Sequence, residues 1–72
     1  MVAENNSRFA TDPLLNEKES AEISGVSMPT FWRWVRGGVV PKPIKLGRLS
    51  RWPRSEIYGV IENAAAARHV AA

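Results

Sequence analysis

The stretch "SGVSMPTFWRWVRGG", residues 24–38, decides the fold, because it carries the end of one helix and the whole of the next. Gly25 suits the left-handed conformation that ends helices, and two residues later Ser27 is a good N-cap. Pro29 then falls in a first helical turn, where its missing N–H has no intrahelical partner. The predicted helix spans about Met28 to Arg36, with Gly37-Gly38 ending it. Its period sorts the side chains into two faces. Phe31 centres a buried stripe with Val35, Trp34 and Met28, while Arg33 projects from the opposite side with Pro29, Thr30 and Arg36 around it. Trp32 falls on the boundary. A row of aromatics and arginines that looks mixed in the linear sequence therefore reads as one amphipathic helix.

Upstream, Leu14-Leu15 begins the folded part. Asn16 followed three residues later by Glu19 has the form of a capping box. The helix behind it runs through about Ser24, with Ser20, Ala21 and Ile23 inward and Glu17 and Glu22 outward. Two short helices joined by a tight glycine-containing turn make a helix-turn-helix. Downstream, "VVPKPIKLGRLSRWPRSE" (residues 39–56) changes character. Pro41 and Pro43 disfavour helix. Ile44 and Leu46, then Ser50 and Trp52, alternate around Gly47-Arg48-Leu49, which predicts a two-stranded hairpin with Gly47 near its tip. Pro53 suits the start of a third helix with Ile57, Val60, Ile61 and Ala64 at core spacing, weakened by about 1 kcal/mol at Gly59. Residues 1–13 lack periodicity and read as a flexible tail. Residues 14–64 form the domain, and 65–72 a fraying helix end. The expected fold class is mainly α with a small β-hairpin: a winged helix-turn-helix in the order helix, turn, helix, hairpin wing, helix.

Seventy-two residues allow one small domain with a thin core. With no cysteine there is no disulfide framework and no thiolate metal site. The first residues hold no apolar run of signal-peptide length, and nothing later is long enough to span a membrane. A soluble, cytoplasmic protein is the expectation. The net charge of +3 is unevenly spread. Residues 1–32 carry two basic side chains against five acidic ones. Residues 33–54 carry Arg33, Arg36, Lys42, Lys45, Arg48, Arg51 and Arg54 and no acid at all. That block is either a solvated basic face or the footprint that a polyanion requires.

The run "LLNEKESAEISGVSMPTFWRWVRGGVVPKPIKLGRLSRW" (residues 14–52) resembles the AlpA family of small prophage regulators. It is also similar to the phage excisionases, whose fold is related to the DNA-binding domain of MerR-type regulators. The residues that fit the pattern are Leu14, Leu15, Ser24 to Ser27, Thr30 to Arg33, Gly38, Pro41 to Gly47, Arg51 and Trp52. "PKPIKLG" placed after an S-x-x-T-F-W-R helix is the most specific part. Three departures stand out. Ser20 occupies a place where the family carries a larger aliphatic residue, so the first helix should pack less firmly. Met28-Pro29 replaces a polar, often basic pair. Trp32 stands where tyrosine is common. The resemblance implies a bacterial, nucleoid-associated protein that binds double-stranded DNA and self-associates on adjacent sites. A phage-type integrase would be its protein partner. It implies no cofactor and, since nothing like the MerR effector domain follows, no small-molecule effector.

A B-DNA major groove admits one α-helix, and Arg33 has the planar fork that matches guanine O6 and N7. Ser27 and Thr30 can reach phosphates or base edges, and Arg36 holds the backbone. Trp32 reads either as packing on sugar and phosphate or as half-buried core. The hairpin serves as a wing carrying Lys45, Arg48 and Arg51; Arg48 and Arg51 enter the minor groove, while Lys45, Lys42 and Arg54 contact phosphates. The rival is a small protein-binding adaptor that uses the acidic face of the first helix to modulate an integrase or regulator without reading DNA. An enzyme is not expected. The lone histidine, His69, and the lone aspartate, Asp12, lie at opposite ends of the chain, and Ser50 and Ser55 fit a hairpin and a helix start. One histidine without cysteines makes no metal site.

Overall fold

Asn16 and Glu19 exchange two hydrogen bonds across the first turn of α1 (Glu17–Ser24). Asn16 Oδ1 accepts from the Glu19 N–H at 2.7 Å, and Glu19 Oε1 from the Asn16 N–H at 3.0 Å. Two donors without intrahelical partners are satisfied reciprocally. Gly25, at φ +75°, closes α1, and Val26 N–H returns to the Ala21 carbonyl at 3.1 Å. A residue with a Cβ would be strained at that φ. Two residues later Ser27 caps α2 (Met28–Gly37), which extends one residue past its expected end.

A computed structural model describes residues 7–70. The remaining elements are β1 (Leu14–Leu15), β2 (Ile44–Leu46), β3 (Leu49–Pro53) and α3 (Arg54–Val70), after a 3-10 turn at Arg8–Ala10. The architecture is mixed α/β, three helices with a three-stranded antiparallel sheet in the order β1-β3-β2. The expected hairpin is present, but it is two strands of three. Leu14 pairs with Pro53 and Leu15 with Trp52, so the leucine pair that opens the domain is an edge strand.

The hairpin register also departs from expectation, by one residue. Ile44 faces Arg51, Lys45 faces Ser50 and Leu46 faces Leu49, leaving only Gly47-Arg48 as the turn. Gly47 has φ +65° and no non-glycine among the described residues has a positive φ, the pattern of a type II′ turn with glycine at its first central position. A one-residue slip moves every side chain to the other face. Ser50 and Trp52 therefore share a face with Lys45, and Leu46, Leu49, Ile44 and Arg51 lie on the opposite one.

Trp52 is the centre of the core. It is fully buried with Phe31 and Ile57, beside Ala21, Val35 and Val40. Its ring stands edge-on to Phe31 at 4.9 Å and to Trp32 at 5.5 Å. Its indole N–H donates to the Pro41 carbonyl at 2.8 Å, which ties the segment between α2 and β2 to the middle strand. Ser20 is also fully buried. Its hydroxyl donates to the Asn16 carbonyl at 2.8 Å, so the small polar residue is satisfied and α1 sits close to its neighbours.

Two parts of the chain lie differently from the sequence expectation. Residues 7–13, read as tail, are held against the start of α3; residues 1–6 lie outside the described part. Asp12 Oδ1 accepts from the Ser55 N–H at 2.9 Å and Oδ2 from the Ser55 hydroxyl at 2.7 Å, and Pro13 O accepts from the Arg54 N–H at 2.9 Å. Asp12 thus caps a helix 43 residues further along. The Ser55 hydroxyl and then its backbone N–H hold the Asp12 carboxyl below the usual carboxylate range, outweighing desolvation, with Arg8 and Arg54 adding to the effect. Arg8 adds an exposed ion pair to Glu56 at 3.2 Å. At the other end, Ile57 is buried and Val60 half-buried, but Ile61 and Ala64 are exposed. The predicted inward face of α3 stops at Val60, because no element among the described residues lies beyond to cover it. A 17-residue helix is about 25 Å long, and its outer half contributes to the 52 Å longest dimension. No helix among the described residues is long and apolar enough to cross a membrane.

Candidate nucleic-acid interface

The exposed side of α2 carries an ordered polar row. Ser27 Oγ accepts from the Thr30 N–H at 3.4 Å as the helix cap and donates to Thr30 Oγ1 at 3.1 Å. Arg33 Nη2 donates to the same Thr30 oxygen at 3.4 Å. Residues three apart on a helix are neighbours, so Ser27, Thr30 and Arg33 form one strip that leads the guanidinium back towards the N-terminal end of the helix. Arg36 continues the exposed side in the last turn.

Trp32 is placed differently. Its indole N–H donates to Glu17 Oε1 at 2.9 Å, and its ring is half-buried against Phe31 and Trp52. The donor that would have met a phosphate is already used, and the side chain is a strut between α1 and α2. Glu17, expected to point outward, is half-buried as the other end of that strut.

A groove of about 450 Å³ runs between the start of α1, the first residue of α2 and the hairpin. It is lined by Asn16, Glu17, Lys18, Met28 and Arg48 to Arg51. The hairpin thus stands beside the end of α2 from which the Ser27-Thr30-Arg33 row begins. Arg48 occupies the turn and Arg51 the flank, donating to the Ser50 carbonyl at 2.8 Å. Lys45 comes from the opposite face of the ribbon and donates to Ser50 Oγ at 3.0 Å. The two faces of the wing-shaped ribbon each carry a cation.

Lys18 was not among the sequence candidates. It sits in an acid-rich segment, where a count of charges along the chain hides it, and only the folding of α1 against the hairpin brings it to the groove. Arg54 is the converse case. Five residues of β3 cover about 13 Å, so Arg54 lies at the strand end opposite the turn, beside Asp12. The fold does not bring it to the groove. Lys42 is exposed between α2 and β2, next to the Pro41 carbonyl held by Trp52.

Among the described residues the only ion pair is Arg8 with Glu56, so all seven cations of residues 33–54 keep their charge uncompensated by a direct carboxylate contact. The single acid lining the groove, Glu17, accepts the Trp32 indole N–H. No group of three or more His, Cys, Asp or Glu stands together among the described residues to hold a metal ion. No protein family, curated protein or solved structure matches this chain.

Proposed function

We propose that the protein binds double-stranded DNA as a winged helix, with α2 in the major groove and the β2–β3 ribbon in the adjacent minor groove. The observation that carries this reading is the shared geometry of the uncompensated cations. Arg33 stands on a polar row of α2 that starts beside Met28, and Met28 borders the groove that Arg48 and Arg51 line from a narrow two-stranded ribbon. A helix and an antiparallel ribbon side by side, both basic, fit neighbouring grooves of a duplex.

In this reading Arg33 reads a guanine edge, a contact that discriminates by about 1–3 kcal/mol. Ser27 and Thr30 orient it and reach the nearest phosphate or base edge. Arg36, Lys42, Lys45, Arg48 and Arg51 neutralise phosphates, and Trp32 and Arg54 take no direct part. The resemblance to AlpA regulators and phage excisionases supports two roles for the same chemistry. One is a directionality factor for site-specific recombination beside an integrase, the other a regulator of transcription. A single small reading head favours several copies on repeated sites.

The test is the double substitution Arg33→Ala, Arg48→Ala, with retention of fold checked by circular dichroism. Both side chains are exposed, so the melting temperature should hold while specific duplex binding disappears. Undiminished binding by the folded double variant would sink the reading. It would favour instead an adaptor that docks through the acidic side of α1.

A further inference from the structure

Leu46 and Leu49 are the two residues that close the turn of the hairpin, and they are 49% and 52% exposed. Directly opposed residues of an antiparallel pair project from the same face, so the two leucines form one apolar tip. Leu49 borders the groove that Met28 also lines, yet about half of each leucine stays in solvent. Trp52, the core residue of β3, lies on the opposite face, and the polar Lys45 and Ser50 occupy the next rung. Two half-exposed leucines at the far end of a ribbon are an uncovered apolar surface in a domain whose core is already thin.

The charge around that tip names its partner. Arg48 lies between the leucines in sequence, Arg51 shares their face and Lys45 flanks them from the other. An apolar protein partner would leave these three cations to be desolvated without a counter-charge. A duplex minor groove offers a phosphate wall on either side and, where a base step opens, the apolar faces of two base pairs.

We infer that the Leu46–Leu49 pair is a wedge that enters between two base pairs from the minor groove and kinks the duplex. The inference rests on the DNA-binding reading above and adds to it a deformation step with its own residues. Leucine is among the side chains suited to this work, because partial unstacking exposes base faces that an apolar surface can cover. The cations on either side of the ribbon hold the two phosphate strands while the step opens. The preferred site is a pyrimidine–purine step, which unstacks most easily. The expected bend falls in the range of roughly 20–90° that such wedges produce.

The experiment uses the full chain and a duplex recovered from a random-sequence pool by the wild-type protein. Three readouts are made on it: the bend by energy transfer between end labels, the unstacking by 2-aminopurine substituted along the site, and the permanganate reactivity of its thymines. The wild-type protein should shorten the end-to-end distance and raise 2-aminopurine emission at one step. The permanganate-reactive thymine should fall at that same step. Leu46→Thr with Leu49→Thr, which keeps strand-forming residues, should lose the bend and the emission while retaining the salt dependence of binding. Leu46→Ile with Leu49→Ile should restore both. A duplex bound by the wild-type protein without a bend or a reactive step overturns the wedge and leaves DNA binding standing. A threonine variant that bends as the wild type does has the same consequence. If no duplex is recovered from the pool, the DNA-binding reading falls and the wedge with it. The permanganate pattern of the wild-type complex decides the matter even if the threonine variant does not fold.

Discussion

Replacing Trp32 with phenylalanine removes the indole N–H that reaches Glu17 Oε1 at 2.9 Å and the ring that carries it. A hydrogen bond to a charged acceptor contributes about 1.5–3 kcal/mol. Glu17 is only half-buried, so water replaces part of that, leaving about 1 kcal/mol. The six-membered ring retained by phenylalanine keeps some of the edge contact with Trp52 at 5.5 Å and Phe31 at 6.3 Å. The smaller ring costs about another 1 kcal/mol of packing. A loss of about 2 kcal/mol in a domain of this size lowers the melting temperature by about 8–16 °C. The measurement is a thermal melt followed by circular dichroism, repeated in a Glu17→Ala background. The cycle should return a coupling of about 1 kcal/mol, because the two side chains share one bond. Arg33→Ala should behave in the opposite way, sparing the melt and removing DNA affinity. Strictly additive losses for Trp32→Phe and Glu17→Ala would refute the strut. A Trp32→Phe variant with an unchanged melt and a flattened salt dependence would return Trp32 to the DNA-contacting set.

Three further outcomes follow from particular contacts. Asp12→Asn should narrow the acid limb of the stability curve: the native carboxyl titrates below its ordinary range, so its contribution is present above that range and is lost as pH falls through it. Melts of the two proteins should differ most near neutrality and converge in acid, and a gap independent of pH would contradict the cap to Ser55. Gly47→Ala meets no atom within 4 Å but must hold φ +65°, so it should destabilise by about 1 kcal/mol and blunt DNA binding through the misplaced turn; an unchanged melt and affinity would contradict the type II′ turn. Ile57→Ala should cost about 2–5 kcal/mol as a buried truncation. Ile61→Lys, on the part of α3 that leaves the core, should stay within about 0.5 kcal/mol of the parent by denaturant titration, and comparable losses for the two would contradict that division of the helix.

What the chain reveals before it folds depends on how local the signal is. The cap at Asn16, the glycine at position 25, the cap at Ser27 and the period from Met28 to Val35 all act within four residues. Both helices and their turn follow from them. The Ser27-Thr30-Arg33 row was visible for the same reason, being a spacing of three on one helix. β1 was not visible as a strand, because two leucines have no period and their pairing with Trp52 and Pro53 is made across the fold. The hairpin register differs by one residue from the pattern, because Leu49 carries no local signal that separates strand from turn, and its pairing with Leu46 sets the apolar tip. Asp12 capping Ser55 and Glu17 accepting from Trp32 join residues 43 and 15 apart, with no local trace. On α3, Ile61 and Ala64 keep the helical spacing of a buried face but are exposed, with no described element packed over them.

The measurement that bears most directly on the central claim is a mobility-shift titration of the wild-type protein on duplexes tiling the DNA around its own coding region. Each is run at several salt concentrations beside a scrambled control. Five phosphate-neutralising cations, Arg36, Lys42, Lys45, Arg48 and Arg51, predict a slope of log K on log salt near −4.5, and removing Arg48 should make it shallower by about 0.9. Discrete complexes on one tile, absent from the scramble and weakened by salt at that slope, are the predicted result. Equal smearing on every tile, or no shift at low salt, would contradict it.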